Sequence, residues 1–164
     1  GFALSRFDDL FFHRPRLVSV LFLVTALFLI STLLRRGRRD YFQIGFLGAL
    51  AVGLAQGVGV LPGISRAGIT ISVALLLGLD RQRAGEFSFL IAIPAILGAS
   101  ILQLREAGRL LEIAAPLTLL LGFAASFAVG LLSLILLLRV VRKGQLAVFS
   151  VYLVPLAVVS FILL

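Results

Sequence analysis

Neither cysteine, methionine nor tryptophan occurs among the 164 residues, and there is one histidine, His13. Without cysteine there is no disulfide, no thiol nucleophile and no thiolate metal site. His13 lies in a polar segment, and no spacing in the chain suggests a triad, an all-protein metal site or a nucleotide-binding loop. Charge is scarce as well: 13% of residues carry one, where a soluble domain has about a quarter. Acid is scarcer still, with 7 Asp and Glu against 15 Lys and Arg, for a net charge of +8. A complete reading frame ordinarily begins with methionine, and Gly1 opens a polar stretch without a signal-peptide pattern. An amino-terminal truncation of one larger membrane domain is therefore expected, with residues 1–164 forming a single unit.

What fills the chain is apolar: 61% of residues are hydrophobic. Uncharged runs long enough to cross a bilayer recur, which marks an all-α, polytopic transmembrane bundle. Leu17–Leu34, Tyr41–Val60, Phe87–Leu104 (interrupted by Pro94), Ile113–Leu138 (Pro116 near its start) and Gln145–Leu164 (Pro155 within it) are the expected spans. Between them stand Arg35–Arg39, Asp80–Arg83 and Arg139–Lys143. Placing these basic clusters on one side obeys the positive-inside rule and explains the net charge without nucleic acid. The loop Arg105–Glu112, with no net charge, suits the opposite side. Gly53 and Gly57 have the small-xxx-small spacing that lets helix backbones approach closely.

No charged residue separates Asp40 from Arg66, or Arg66 from Asp80. A cation isolated in an apolar stretch is a functional hypothesis by default. Pro62-Gly63 breaks the helix just before it, and the 13 uncharged residues Ala67–Leu79 reach only about 20 Å. That is short of a roughly 30 Å hydrocarbon core, so residues 41–79 read as a re-entrant helix hairpin; two full spans joined by a tight turn remain the alternative. Ser65 is a natural N-cap. The first-turn amides and the positive end of the helix dipole then face the break, where anions bind. Arg66 adds a fork of donors matched to phosphate, and Thr70, at i+4, can face the same spot. Gly63 and Gly68 permit close approach. An anion-binding cradle is one reading; a snorkelling Arg66 beside ordinary cap and packing residues is the other. Glu86 is expected in the first turn of the helix that follows, or paired with a cation.

Pro62-Gly63-Ile64-Ser65-Arg66-Ala67-Gly68-Ile69-Thr70 closely resembles the Pro-Gly-x-Ser-Arg-Ser-x-x-Thr signature of the undecaprenyl-pyrophosphate phosphatase, or bacitracin-resistance, family. Asp40–Gly57 resembles the helix leading into that signature, and Glu86–Pro94 the span after it. The resemblance implies an integral membrane hydrolase of the bacterial plasma membrane. Its reaction removes the terminal phosphate of a C55 polyprenyl diphosphate to recycle the lipid carrier of cell-wall synthesis. It also implies a fold of inverted repeats, often dimeric, of which this chain would be one half. Ser65 and Arg66 are carried over as catalytic residues, and Ser65, Arg66, Thr70, Gly63 and Gly68 as the phosphate-binding set. A divalent metal, Mg2+ or Ca2+, is implied too, but the Glu-rich and Ser-Ser-Thr-Gly-His motifs that accompany it are not in this chain. Ala67 stands where the family usually has serine. A transporter or flippase of a phosphate-bearing lipid or another anion is the alternative function.

Overall fold

The computed structural model describes residues 15–34, 37–104 and 115–163. His13, Arg35 and Arg36, and the loop Arg105–Glu112 lie outside the described residues. The described residues form six helices: α1 Pro15–Ser31, α2 Gly45–Val58, α3 Arg66–Leu76, α4 Arg81–Leu104, α5 Pro116–Arg142 and α6 Val148–Leu163. Short 3-10 turns at Thr32–Leu34 and Tyr41–Ile44 extend the end of α1 and precede α2. Among the described residues the regular structure is all helical apart from one isolated bridge. Among the described residues four segments are long and apolar enough to cross a membrane: Arg16–Leu34, Tyr41–Val58, Arg81–Gln103 and Pro116–Arg142. The chain is a multi-pass membrane protein.

Local chemistry sets the helix ends. Pro116 occupies the first turn of α5, where its missing N–H matters least. Arg139 and Arg142 lie in the last turn, complementing the negative end of the dipole. Asp80 starts α4 by accepting from the backbone of Gln82 at 3.0 Å with its side chain and from Ala84 at 2.8 Å with its carbonyl. This corrects the expected start at Phe87. Glu86 is consequently the sixth residue of α4, beyond its first turn. Pro94 does not interrupt the helix, and Pro155 likewise sits inside α6; in a membrane bundle the freed backbone groups can be satisfied by neighbours. α6 has 16 residues, shorter than the four long spans.

α3 is the centre of the molecule. Its 11 residues rise about 16 Å, and Gly68 to Ser72, Ala74 and Leu75 are all buried. α1, α2 and α4 pack around it, α6 packs along α1, and α5 along α4. Ile71, Ala74 and Leu75 meet Leu29, Val52, Leu79, Ala84, Val141 and Leu146 in the main core. α5 is the opposite case, exposing Phe123, Phe127, Leu120 and Leu121. Such apolar faces are unremarkable where the solvent is lipid.

α2 and α3 form a hairpin joined through the turn at 59–64, with its two roots tied together. The Arg39 amide donates to the Gly78 carbonyl at 2.9 Å, and the Asp80 amide to the Arg39 carbonyl at 3.0 Å. Gly78, at φ +95°, makes the turn that permits this. The three basic stretches also converge. Arg83 pairs with Asp40 at 3.0 Å, Arg142 approaches Glu86 at 3.9 Å, and the Arg81 guanidinium lies where a side chain on Gly144 would go. One polar end of the molecule therefore gathers the charges that the sequence had placed together.

Gly53 and Gly57 do not mediate a helix contact within the chain: nothing lies within 4 Å of a Cβ built on either. Close approach occurs at other glycines, Gly59 and Gly63 among them, where another segment comes too near for a side chain.

Candidate anion site at the start of α3

The α2–α3 turn presents the candidate residues. Leu61 to Gly63 reverse the chain, with Gly63 at φ +92°, a region costly for residues with a Cβ. A Cβ there would also lie 2.7 Å from the Val18 carbonyl, so Gly63 serves the contact between this turn and α1. Thr25 of α1 secures the same turn: its hydroxyl contacts the Gly63 carbonyl at 3.1 Å and accepts from the Ser65 amide at 3.2 Å. Thr25 is 1% exposed, and nothing in the sequence alone pointed to it.

Ser65 is the N-cap, its hydroxyl oxygen accepting from the Gly68 amide at 3.1 Å. The Ser65 carbonyl takes the Ile69 amide at 2.8 Å. Two first-turn amides, those of Arg66 and Ala67, are left without a protein partner among the described residues. This is the donor arrangement that makes helix starts attractive to anions. Gly68 is small because a Cβ would come within 3.0 Å of the Ser65 side chain and 3.5 Å of Leu29; its absence of a side chain lets the cap close.

Arg66 is solvent-accessible, and no hydrogen bond or ion pair among the described residues engages its guanidinium. Gly59, at the end of α2, makes room for it: a Cβ there would fall 2.8 Å from Arg66 Cα and 2.9 Å from Cγ. Arg66 and Thr70 line one cavity, about 210 Å³, together with Gln56 of α2 and Ser88 of α4. Ser65 and Gly68 face a second cavity of about 390 Å³ across α3, mostly apolar like the first and bordered by Leu137, Leu146 and Phe149. Ala67 borders both. The candidate residues thus surround the helix start and divide between two hollows.

Thr70 differs in detail from the sequence expectation. It faces the Arg66 cavity, but its hydroxyl donates back to the Arg66 carbonyl at 2.8 Å and contacts that of Ala67 at 3.3 Å. Only its lone pairs are available without a rearrangement. The Ser65 hydroxyl proton has no acceptor among the described residues.

Glu86 does not approach Arg66. It accepts from Tyr41 Oη and from Gln82 Nε2 (2.8 Å) at the polar end. It borders a hollow there with Arg38, Asp80 and Arg83. Among the described residues, no group of three or more His, Asp or Glu could hold a metal ion. The hollow that Arg66 lines already holds a guanidinium and no carboxylate, so it does not fit a cation.

The sequence model of "Bacitracin resistance protein BacA" matches residues 1–159. A protein of Treponema denticola named undecaprenyl-diphosphatase is 46% identical over 141 residues, covering 86% of this chain and 52% of its own length. Namesakes in Korarchaeum cryptofilum and Thermosipho africanus are 42% and 37% identical, covering 99% and 98% of this chain and 61% and 62% of their own. The chain thus spans a little over half the length of the curated relatives it matches.

Proposed function

This chain belongs to the bacitracin resistance protein BacA family, and on that premise we propose that it supplies the phosphate-holding part of a polyprenyl diphosphatase. The substrate is a C55 undecaprenyl diphosphate. Water adds to the terminal phosphorus, the bridging P–O bond breaks, and the lipid monophosphate and inorganic phosphate leave. The single observation that carries this reading is Arg66: a guanidinium without a partner among the described residues, at an N-capped helix start with free first-turn amides, lining one of the two cavities that flank that start. Donors held in place before the reaction stabilise the charge that develops on the phosphoryl oxygens, the main catalytic lever in such chemistry.

The two cavities suit the two halves of the substrate. The Arg66–Thr70 hollow would take phosphoryl oxygens, with Ser65 donating from the adjoining side. The apolar hollow beyond Ser65 and Gly68 would receive the first isoprenyl units. Thr70 would turn its hydroxyl from the helix carbonyl toward an anionic oxygen, exchanging one hydrogen bond for another. The nucleophile, the proton-transfer groups and the divalent metal implied by the family resemblance would come from outside this chain. The same reading places the protein in the bacterial plasma membrane, with its hairpin re-entrant and a second copy as a candidate partner.

The test is Arg66→Ala in the complete polypeptide, assayed in detergent for phosphate release from the C55 diphosphate. Removing a donor of this kind lowers turnover by about 10²–10³-fold. Near-normal activity would remove Arg66 from the mechanism. Movement of the lipid across a vesicle without phosphate release would replace hydrolysis by transport.

A further inference from the structure

Two residues that line the Arg66 cavity carry a buried polar atom with no hydrogen-bond partner among the described residues. Ser88 is 3% exposed, lines the cavity from α4, and its Oγ is unpartnered. Gln56 enters from α2. Its Nε2 donates to the Ile91 carbonyl at 2.9 Å, which fixes the amide and leaves Oε1 buried without a donor. Buried polar groups are satisfied in the great majority of proteins, and each exception calls for an explanation. A third such atom, Ser72 Oγ, does not border this hollow. The two residues that do border it come from different helices and share the hollow with an unpaired cation.

Their chemistry differs. Arg66 and the Ser88 hydroxyl donate; Gln56 Oε1 can only accept. A fully ionised tetrahedral anion satisfies the donors but sets its oxygen lone pairs against those of Gln56. A phosphoryl group that keeps one proton fits all three: ionised oxygens toward Arg66 and Ser88, and a P–O–H donating to Gln56. Inorganic phosphate retains such a proton near neutral pH, and sulfate does not.

We infer that Gln56 and Ser88 are specificity-determining residues of the Arg66 site, which selects a singly protonated phosphoryl group over a fully ionised tetrahedral anion. The inference rests on reading the Arg66 hollow as a phosphate site and deepens it. Neither residue is part of the Pro-Gly-x-Ser-Arg signature, and they converge only through the packing of α2 and α4 against α3.

The experiment is titration calorimetry of the complete polypeptide in detergent with inorganic phosphate and with sulfate at neutral pH. Sites built to hydrogen-bond a ligand hydroxyl reject analogues lacking it by up to about 10⁴–10⁵-fold; a phosphate preference of at least about 100-fold is expected. Gln56→Leu should bring the two affinities together within about 3-fold, chiefly by weakening phosphate. Ser88→Ala should weaken both anions about tenfold and leave their ratio unchanged. A ratio measured within one variant does not depend on how much of that variant is folded. Gln56→Leu with the wild-type ratio, or Ser88→Ala with unaltered affinities, would overturn the inference. Arg66→Ala separates the two levels. If it abolishes phosphate binding while the other variants bind normally, the phosphate site stands and this inference falls. If the wild type binds no phosphate, or Arg66→Ala binds as well as wild type, both fall.

Discussion

Gly59→Ala is the most informative single change, because two effects of known size oppose each other there. Gly59 sits at φ −65°, so alanine meets no backbone strain, and by helix propensity it should stabilise by up to about 1 kcal/mol. The new methyl, however, would lie 2.8 Å from Arg66 Cα. Ordinary contact begins at 3.4 Å, so the segment carrying Arg66 must withdraw by at least 0.6 Å. Arg66 Cγ at 2.9 Å could swing aside, but the Cα belongs to the backbone and cannot. Overpacking of this kind costs about 1–3 kcal/mol, so the net expected effect lies between no change and a loss of about 3 kcal/mol. The functional effect should be larger than the loss of stability. A displacement approaching 1 Å at a positioning group can lower turnover about 10²-fold. The measurements are thermal unfolding in detergent and phosphate release from the C55 diphosphate, compared with Gly53→Ala, where a Cβ meets nothing within 4 Å. Gly59→Ala that is more stable than wild type and fully active would refute the claim that Gly59 sets the place of Arg66.

Ser65 has two proposed roles, and two substitutions separate them. Ser65→Ala loses the cap and should cost about 1 kcal/mol, whereas Ser65→Asp keeps a capping acceptor but repels phosphate. The aspartate variant should melt near the wild type and bind inorganic phosphate at least tenfold more weakly, by calorimetry. Thr25→Val keeps the shape of a buried side chain while removing its contacts to Gly63 and Ser65. Leaving those groups unpaired should lower stability by about 1–3 kcal/mol in a detergent melt. Arg83→Ala removes an ion pair with Asp40 in which both side chains are 40% exposed. It should change stability by less than about 1 kcal/mol, and high salt should erase the difference.

Where the controlling interactions are local, the sequence was sufficient. Pro62-Gly63 announced the break and Ser65 the cap because a turn and an N-cap are made by residues within a few positions of one another. The basic clusters announced which loops share an end because the positive-inside rule acts on composition alone. The start of α4 was not read from the sequence, although Asp80 is a capping residue type, because the uncharged run begins only at Phe87. Asp40 and Gln43 likewise form a capping box ahead of α2 that their spacing could have indicated. Other features depended on which helix comes near which glycine. Gly53 and Gly57 carried the packing motif and face open space, while Gly59, outside any motif, makes a close contact, as does Gly63 of the Pro-Gly turn. Thr70 had the right spacing to face Arg66, but the spacing could not reveal that its proton is engaged by the helix carbonyl. Gln56 and Ser88, 32 positions apart on different helices, acquire meaning only from the cavity they border with Arg66.

The bridge between Arg39 and Leu79 also bears on how such a chain enters a bilayer. Because the roots of the α2–α3 hairpin are bonded side by side, everything between them departs from and returns to one point. The flanking helices keep the same sidedness whatever depth the hairpin reaches, so topogenesis can be decided by the basic clusters before the hairpin has settled. Arg66 would then travel inward at the tip of a paired segment, with its helix already capped and its neighbours already folded against it. The transfer of a guanidinium toward the apolar phase is thereby coupled to the docking of α3, the best-buried of the described helices, so the energy of packing the core is available to set the charge in place.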